Sequence, residues 1–260
     1  HQACFEAYPE ANVLPCNSFQ AAIDAVSSGN ADLAMLPVEN STYGRVADIH
    51  QLLPNSGLHI IGEHYVRVHI NLLGLKGSKL SDIKSAMSHT VLLGQCRNYL
   101  KEHNIEPITG VDTAGSAEIV SKKQNIDQAA LASELAGKIY GLDVLARHIE
   151  DESNNTTRFL VMSSKFKSLK IKEDRIKTSL VFRVRNIPAA LYKAMGGFAT
   201  NGVNMVKLES YMVDGSFTAT QFYLDIIGHP DEPAVKRAME ELSYFTTDVK
   251  ILGVYESGEY

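Results

Sequence analysis

The sequence predicts an α/β chain in two parts, a longer α/β segment followed by a small ferredoxin-like βαββαβ unit. Three observations carry this reading. Strand-like and helical patterns alternate up to about Met162, the composition shifts between Ser163 and Lys177, and residues 178–256 follow the order β-α-β-β-α-β.

In the first part, Asn17 followed by Gln20 reads as an N-cap pair, and Phe19, Ala22, Ile23 and Val26 recur at helical spacing until Gly29. Leu33–Val38 is a short apolar run of the kind buried on both faces of a parallel sheet. Val46, Ile49, Leu52 and Leu53 mark a second helix, closed by Pro54-Asn55-Ser56-Gly57. Further strands are expected at Leu58–Ile61, Ile70–Leu73, Ile108–Val111, Ala129–Ala132, Val144–Ile149 and Phe159–Met162, with helices around Ala117–Lys123 and Ser133–Gly141. This alternation predicts a largely parallel sheet.

Lysines, serines and an arginine with little apolar periodicity make Ser163–Lys177 a linker. Beyond it, Leu180, Phe182 and Val184 alternate with polar residues, a strand with one wet face. Leu191, Met195 and Phe198 form a helical stripe ending near Asn201-Gly202. Val206, Leu208 and Met212 share one face of a second strand, and Asp214-Gly215 signals a hairpin turn. Phe222, Leu224 and Ile226 alternate on a third strand. Val235, Ala238, Met239, Leu242 and Phe245 make another helical stripe, and Val249–Tyr255 is the last strand.

Composition narrows the function classes. The hydrophobic fraction is 45% and the charged fraction 21%, enough apolar side chain for a core without a metal or disulfide staple. Net charge is −5 with no basic stripe, which argues against nucleic acid and anionic membranes as partners. No apolar run approaches the roughly 20 residues of a membrane span. Cys4, Cys16 and Cys96 are too few and too scattered for a disulfide framework or a Cys-x-x-Cys metal site, and suit a reducing cytoplasm. The segments Gly74–Lys79 and Gly196–Gly202 have the wrong spacing for nucleotide loops, and His59, His64 and His69 match no metal-ligand pattern. Glu150-Asp151-Glu152 reads as a solvated loop in preference to a cation site.

Three polar clusters sit at the ends of apolar strands, where open α/β sheets bind ligands. Glu39-Asn40-Ser41-Thr42-Tyr43-Gly44 follows the strand ending at Val38, and reads either as helix capping or as a binding loop. Ser88-His89 is followed by Gly94-Gln95-Cys96. Asn154-Asn155-Thr156-Thr157-Arg158 precedes the strand at Phe159; it is either a donor set for carboxylates or a polar turn whose arginine meets a surface acid.

Asn155-Thr156-Thr157-Arg158-Phe159 is similar to the Asn-x-Thr-Arg-Phe signature of prephenate dehydratases. Glu39–Gly44 resembles the Glu-Asn-Ser-x-x-Gly segment of that family. Ser88-His89 with Gly94-Gln95-Cys96, and Asp112-Thr113-Ala114-Gly115-Ser116-Ala117, fall in the expected order. The resemblance covers essentially the whole chain. It implies a two-lobed, periplasmic-binding-protein-like catalytic domain over residues 1–163, with the second lobe at about 64–145, a linker at 164–177 and an ACT regulatory domain at 178–256. It also implies a strand and a Gly-rich turn upstream of His1. The implied reaction is decarboxylating dehydration of prephenate to phenylpyruvate in phenylalanine biosynthesis, with no redox cofactor or metal.

By the same resemblance Thr157 is the catalytic donor to the leaving hydroxyl. Glu39, Asn40, Ser41, Thr42, Gly44, Ser88, His89, Gln95, Cys96, Thr113, Asn155, Thr156, Arg158 and Phe159 are the substrate-site set. Within it, Arg158 serves carboxylate recognition or fixes the loop, Phe159 packs the loop base, and Cys96 defaults to a buried thiol. The ACT resemblance implies phenylalanine as allosteric effector, bound between two copies of a homodimer or homotetramer. Its motifs stand here as Ala189-Ala190-Leu191 and Glu209-Ser210-Tyr211-Met212, with Asn201, Gly202, Val203, Asn204 and Leu208 beside them. Both depart from the family pattern: an alanine replaces the first glycine, and Tyr211-Met212 removes an arginine. Arogenate dehydration is the enzymatic alternative, and a non-catalytic amino-acid sensor the alternative of another class.

Overall fold

A computed structural model describes residues 1–152, 154–167, 169–171, 175–212 and 219–258. The chain forms two compact units, one built essentially from Ala3–Val66 and Thr157–Tyr260, the other from Arg67–Thr156. The first unit opens with α1 (Gln2–Ala7), α2 (Phe19–Ser27), β1 (Leu33–Asn40), β2 (Gly44–Arg45), α3 (Ala47–Leu52) and β3 (His59–Arg67). Ser18, one residue after the expected cap, starts α2 by accepting the Ala21 N–H at 3.1 Å.

The second unit follows as β4 (Asn71–Gly74), β5 (Ser85–Ser88), α4 (Thr90–Gln95), α5 (Arg97–Glu102), β6 (Glu106–Thr109), α6 (Thr113–Lys123), β7 (Gln128–Ala132), α7 (Glu134–Tyr140) and β8 (Asp143–Ala146). Its sheet order is β6-β5-β7-β4-β8. β5 runs parallel to β6 and β7, whereas β4 is antiparallel to β7 and β8. Leu72, Ala86, Ala129 and Leu131 pack on one face against α4 and α5, and Leu73, Met87, Ala130 and Ala132 on the other against α6 and α7.

The chain returns to the first unit as β9 (Thr156–Ser163), then β10 (Ile176–Val184), α8 (Ala190–Thr200), β11 (Met205–Met212), β12 (Ala219–Ile227), α9 (Pro233–Phe245) and β13 (Thr246–Glu256). The strand order β11-β12-β10-β13 is that of a ferredoxin-like unit, and it continues into β3-β9-β1-β2 as one eight-stranded sheet. The junction is a parallel contact of Gly253 with Ile60. The Asp214-Gly215 turn expected from the sequence lies outside the described residues.

Two expectations are corrected here. The sheets are mixed, because β9 comes back antiparallel to β1. An apolar run reports that a strand is buried and carries no information on its direction. β10 has no wet face: Leu180 and Phe182 pack against α8 and α9, while Val181 joins Leu36, Val38, Ile60, Tyr211, Tyr223 and Tyr255 in a second core. The polar residues at its start, Lys177, Thr178 and Ser179, are all buried, and Lys177, expected at the end of the linker, already belongs to the strand.

Candidate active site

In the first unit, the antiparallel register of β1 and β9 places Asn40 opposite Thr157 and Glu39 opposite Arg158. The Asn40 amide oxygen accepts the backbone N–H groups of Thr42 and Tyr43, each at 3.0 Å, so its NH2 group faces Thr157. That group donates to Thr157 Oγ1 at 3.0 Å. A threonine hydroxyl that accepts in this way keeps its own hydrogen for donation elsewhere. The turn carrying Ser41 and Thr42 closes at Gly44, whose φ of +77° lies in the left-handed region that glycine enters without steric cost. The Glu39–Gly44 segment therefore caps no helix; it holds Thr157.

Of the two roles open to Arg158, carboxylate recognition and fixing its own segment, the internal contacts favour the second. Arg158 is buried, with Nε donating to Glu63 at 2.7 Å, Nη1 to Glu39 at 2.8 Å and Asp225 at 2.7 Å, and Nη2 to Tyr255 Oη at 3.0 Å. Four of the five guanidinium donors are spent inside the protein. Burial opposes its charge, but Tyr255, Asp225, Tyr223 and Glu63 outweigh that and raise its pKa. Glu63 also takes Lys177 Nζ at 2.6 Å, and Ser179 Oγ bridges Asp225 and Tyr255. Lys207 Nζ binds Glu39, and also Glu209 at 3.3 Å. Burial works against the Glu39 charge, yet the hydrogen bonds from Arg158 and Lys207 leave its carboxyl below the usual range. Sequence reasoning missed Glu63, Lys177, Lys207, Asp225 and Tyr255. One signal was available: Asp225 interrupts the apolar run Phe222–Ile227, and a buried acid requires a paired cation.

In the second unit, Ser88 and His89 stand at the carboxyl end of β5. Thr113 opens α6 beside them, because the Gly110 N–H donates to the Ser88 carbonyl at 2.8 Å. His89 Nδ1 caps α4 by accepting the Val91 N–H at 3.3 Å, and the Asp112 carboxylate caps α6 through Gly115 at 2.5 Å. Ser88 is fully buried and its hydroxyl donates to the Leu131 carbonyl at 2.8 Å, so it braces the sheet and cannot meet a ligand. Cys96 is buried, as its default reading had it, and burial, then Asp151 and Glu150, push its thiol well above the ordinary value. Gln95 is buried, and its Oε1 has no hydrogen-bond partner among the described residues. Asn155 is buried, and its carbonyl accepts the Val68 N–H at 2.9 Å. Asn155 and Thr156 end this unit, and Thr157 begins the return to the first. β9 starts at Thr156, three residues before the strand expected at Phe159, so Thr157 and Arg158 lie on the strand and not on the loop before it.

The effector candidates form three groups, one at each end of α8 and one on β11. Ala189, at φ +60°, precedes Ala190 and Leu191 at the start of α8. An alanine there costs roughly 1–2 kcal/mol relative to a right-handed residue. Asn201, Gly202, Val203 and Asn204 follow the other end of that helix of 11 residues, a separation of roughly 16 Å. Asn201 is held by Gly197 and Glu241, each at 2.9 Å, and by Arg237 at 2.8 Å. Leu208, Glu209 and Ser210 lie on the edge strand β11. Tyr211 turns inward, 6.2 Å from the His50 ring.

Two other features stand apart from these residues. His69, His148 and Glu150 bring metal-ligand atoms within 4.8 Å of one another. The two rings stack at 4.0 Å and 15°, however, so their lone pairs run side by side instead of converging. Glu150 is already committed to the Ile70 N–H at 2.9 Å and to His69 at 3.1 Å. Asp151 and Glu152 are exposed, as a solvated loop requires, although Asp151 also accepts the Asn98 N–H at 3.2 Å; Glu150 alone is drawn inward. A cavity of about 1310 Å³ runs along Leu33–Leu36 between α2 and the segment Tyr8–Asn17, and includes none of the candidate residues. Among the described residues no helix is long and apolar enough to cross a membrane.

Comparison with known proteins places the chain in a family. Residues 1–167 match the family model described as prephenate dehydratase. A Komagataeibacter europaeus protein named bifunctional N-acyl-homoserine lactone acylase/prephenate dehydratase is 48% identical, over 99% of this chain and 92% of its own. An Arabidopsis thaliana protein named arogenate dehydratase/prephenate dehydratase 1, chloroplastic, is 38% identical, over 97% of this chain and 68% of its own. The crystal structure of prephenate dehydratase in complex with L-Phe from Arthrobacter aurescens superposes with a TM-score of 0.87 at 30% identity, covering 98% of this chain and 85% of that one. Matched over its first 167 residues by the family model and along nearly its whole length by these relatives, the chain belongs to the prephenate dehydratase family.

Proposed function

We propose that this chain converts prephenate to phenylpyruvate, with Thr157 as the donor to the leaving 4-hydroxyl. The observation that carries the Thr157 assignment is the Asn40 amide, locked by two backbone N–H groups so that it donates to Thr157 Oγ1. As the ring carboxylate departs as carbon dioxide, its bonding pair enters the ring and the carbon–oxygen bond breaks. The hydroxyl leaves with a growing negative charge, and aromatisation drives the step without net redox change. Threonine is a weak acid, so its contribution is a preorganised hydrogen bond to that charge, worth about 3–4 kcal/mol. Ser41, Thr42, His89, Gln95, Thr113, Asn155 and Thr156 are the proposed contacts to the rest of the substrate, and Phe159 is given a packing role on its own strand.

Residues 1–163 form the catalytic domain in this reading, with a second lobe at about 64–145, and residues 178–256 an ACT domain that binds phenylalanine. The two effector groups at opposite ends of α8 favour a site completed by a second copy, in a homodimer or homotetramer. The exposed apolar side chains of edge strand β11, Met205, Val206, Leu208 and Met212, suit such an interface. The free cysteines Cys4, Cys16 and Cys96 suit a cytoplasmic setting.

The test is phenylpyruvate formation by Thr157→Val. Turnover should fall by about 10²–10³-fold with an unchanged circular dichroism spectrum; turnover within threefold of the unsubstituted protein would remove Thr157 from the mechanism. Running the assay with arogenate as well decides the preference that the Arabidopsis relative raises. The Komagataeibacter relative favours a second reading, cleavage of N-acyl-homoserine lactones, which release of free homoserine lactone would reveal.

A further inference from the structure

We infer that Lys207 and Arg45 are positioning residues that couple the effector strand β11 to the Asn40–Thr157 pair. The inference rests on the proposed effector role of Glu209 and Ser210. The turn that holds Thr157 is bounded by two charged side chains, Glu39 before it and Arg45 after it, and each is tied to β11. Lys207 Nζ binds the Glu39 carboxylate and also reaches Glu209 at 3.3 Å. Arg45 Nη1 donates to the Ser210 carbonyl at 2.7 Å and stands 3.8 Å from the Glu209 carboxylate. Glu209 thus shares two cations with the two ends of one short turn.

The geometry has a direct consequence for an amino-acid ligand. Its ammonium group would seek the only acidic side chain among the candidate effector residues, Glu209. There it competes with Lys207 and Arg45 for the same oxygens. Lys207 then leans wholly on Glu39, and Arg45 loses its carboxylate. Both changes reach Asn40, because Glu39 precedes it and is already bound to Arg158 across the β1–β9 register. A small rotation of Asn40 turns its NH2 group away from Thr157 Oγ1 and releases the hydroxyl from its orientation. Hydrogen bonds to charged groups are short and directional, so such a displacement passes along a packed network with little loss.

The experiment compares Lys207→Met with the unsubstituted protein in three measurements: phenylalanine binding by calorimetry, turnover of prephenate without phenylalanine, and turnover at saturating phenylalanine. Phenylalanine binding should stay within about threefold, while turnover at saturating phenylalanine, taken as a fraction of the same variant's turnover without it, rises at least fivefold. Lys207→Arg should restore inhibition. Unchanged binding with unchanged inhibition overturns the coupling role and leaves the effector reading intact. Binding weakened more than tenfold makes Lys207 a ligand contact and overturns the coupling role too. No binding heat from the unsubstituted protein at millimolar phenylalanine overturns both readings. Should Lys207→Met not fold, Arg45→Gln at the more exposed second tie is put through the same three measurements. The same changes in binding and inhibition then support or overturn the coupling.

Discussion

Thr157 and Arg158 are neighbours in one polar cluster, yet they meet different surroundings. Successive side chains of a strand point to opposite faces. Once β9 begins at Thr156, Arg158 is committed to the interior and Thr157 to the face with Asn40. Neighbouring donors such as Thr157 and Arg158 therefore take different roles once they lie on a strand. His50 shows the same dependence on surroundings. Burial, followed by the nearby Lys207 charge, lowers its pKa from the ordinary 6.5 and keeps the ring neutral against Tyr223. The unfolded chain takes up a proton on this histidine at a higher pH than the folded one. Stability is therefore retained above about pH 6.5 and falls as the pH drops from there through the lower folded value. Melting temperatures at pH 7.5 and 5.5 should differ less for His50→Phe than for the unsubstituted protein. An equal difference in the two would show that His50 titrates normally.

At the scale of elements, the junction of β13 with β3 turns two four-stranded sheets into one. A Cβ at Gly253 would come within 2.1 Å of the Ile60 carbonyl oxygen and 2.6 Å of Ile60 Cβ. The obstacle is backbone, so it cannot rotate away. Gly253→Ala should cost about 1–3 kcal/mol, the penalty of overpacking a tight site. Urea unfolding measures this, and a midpoint equal to that of the unsubstituted protein would mean that the strands are not held together here. The helices were easier to read. The stripes of α8 and α9 appear in the sequence because one face of each meets Leu180, Phe182, Leu224 and Ile226, and the other meets solvent. Strand β5 and helices α4 and α5 escaped, since short apolar pieces between polar residues show neither period for long enough.

At the scale of the whole molecule, Arg158 gathers side chains from β1, β3, β12 and β13. Its removal would strip the buried Asp225 carboxylate of this cation and leave Glu63 to Lys177 and Glu39 to Lys207. Arg158→Ala should destabilise the first unit by roughly 3–5 kcal/mol, the usual consequence of breaking a buried ion pair on one side. A loss below 1 kcal/mol in urea unfolding would show that water or Lys177 takes over its role. The sequence by itself determined the α/β class, the βαββαβ order and the family, because periodicity and short motifs are local properties. It also located Asn40 and Thr157, whose motifs flank paired strands. Only the tertiary structure decided that β9 returns antiparallel, that both faces of β10 are buried, and that Arg158 serves an internal network. Those outcomes depend on partners 67–119 residues away in the chain, such as Asp225 and Glu39 for Arg158. A buried charge is settled by what surrounds it in space, and neither spacing nor composition carries that information.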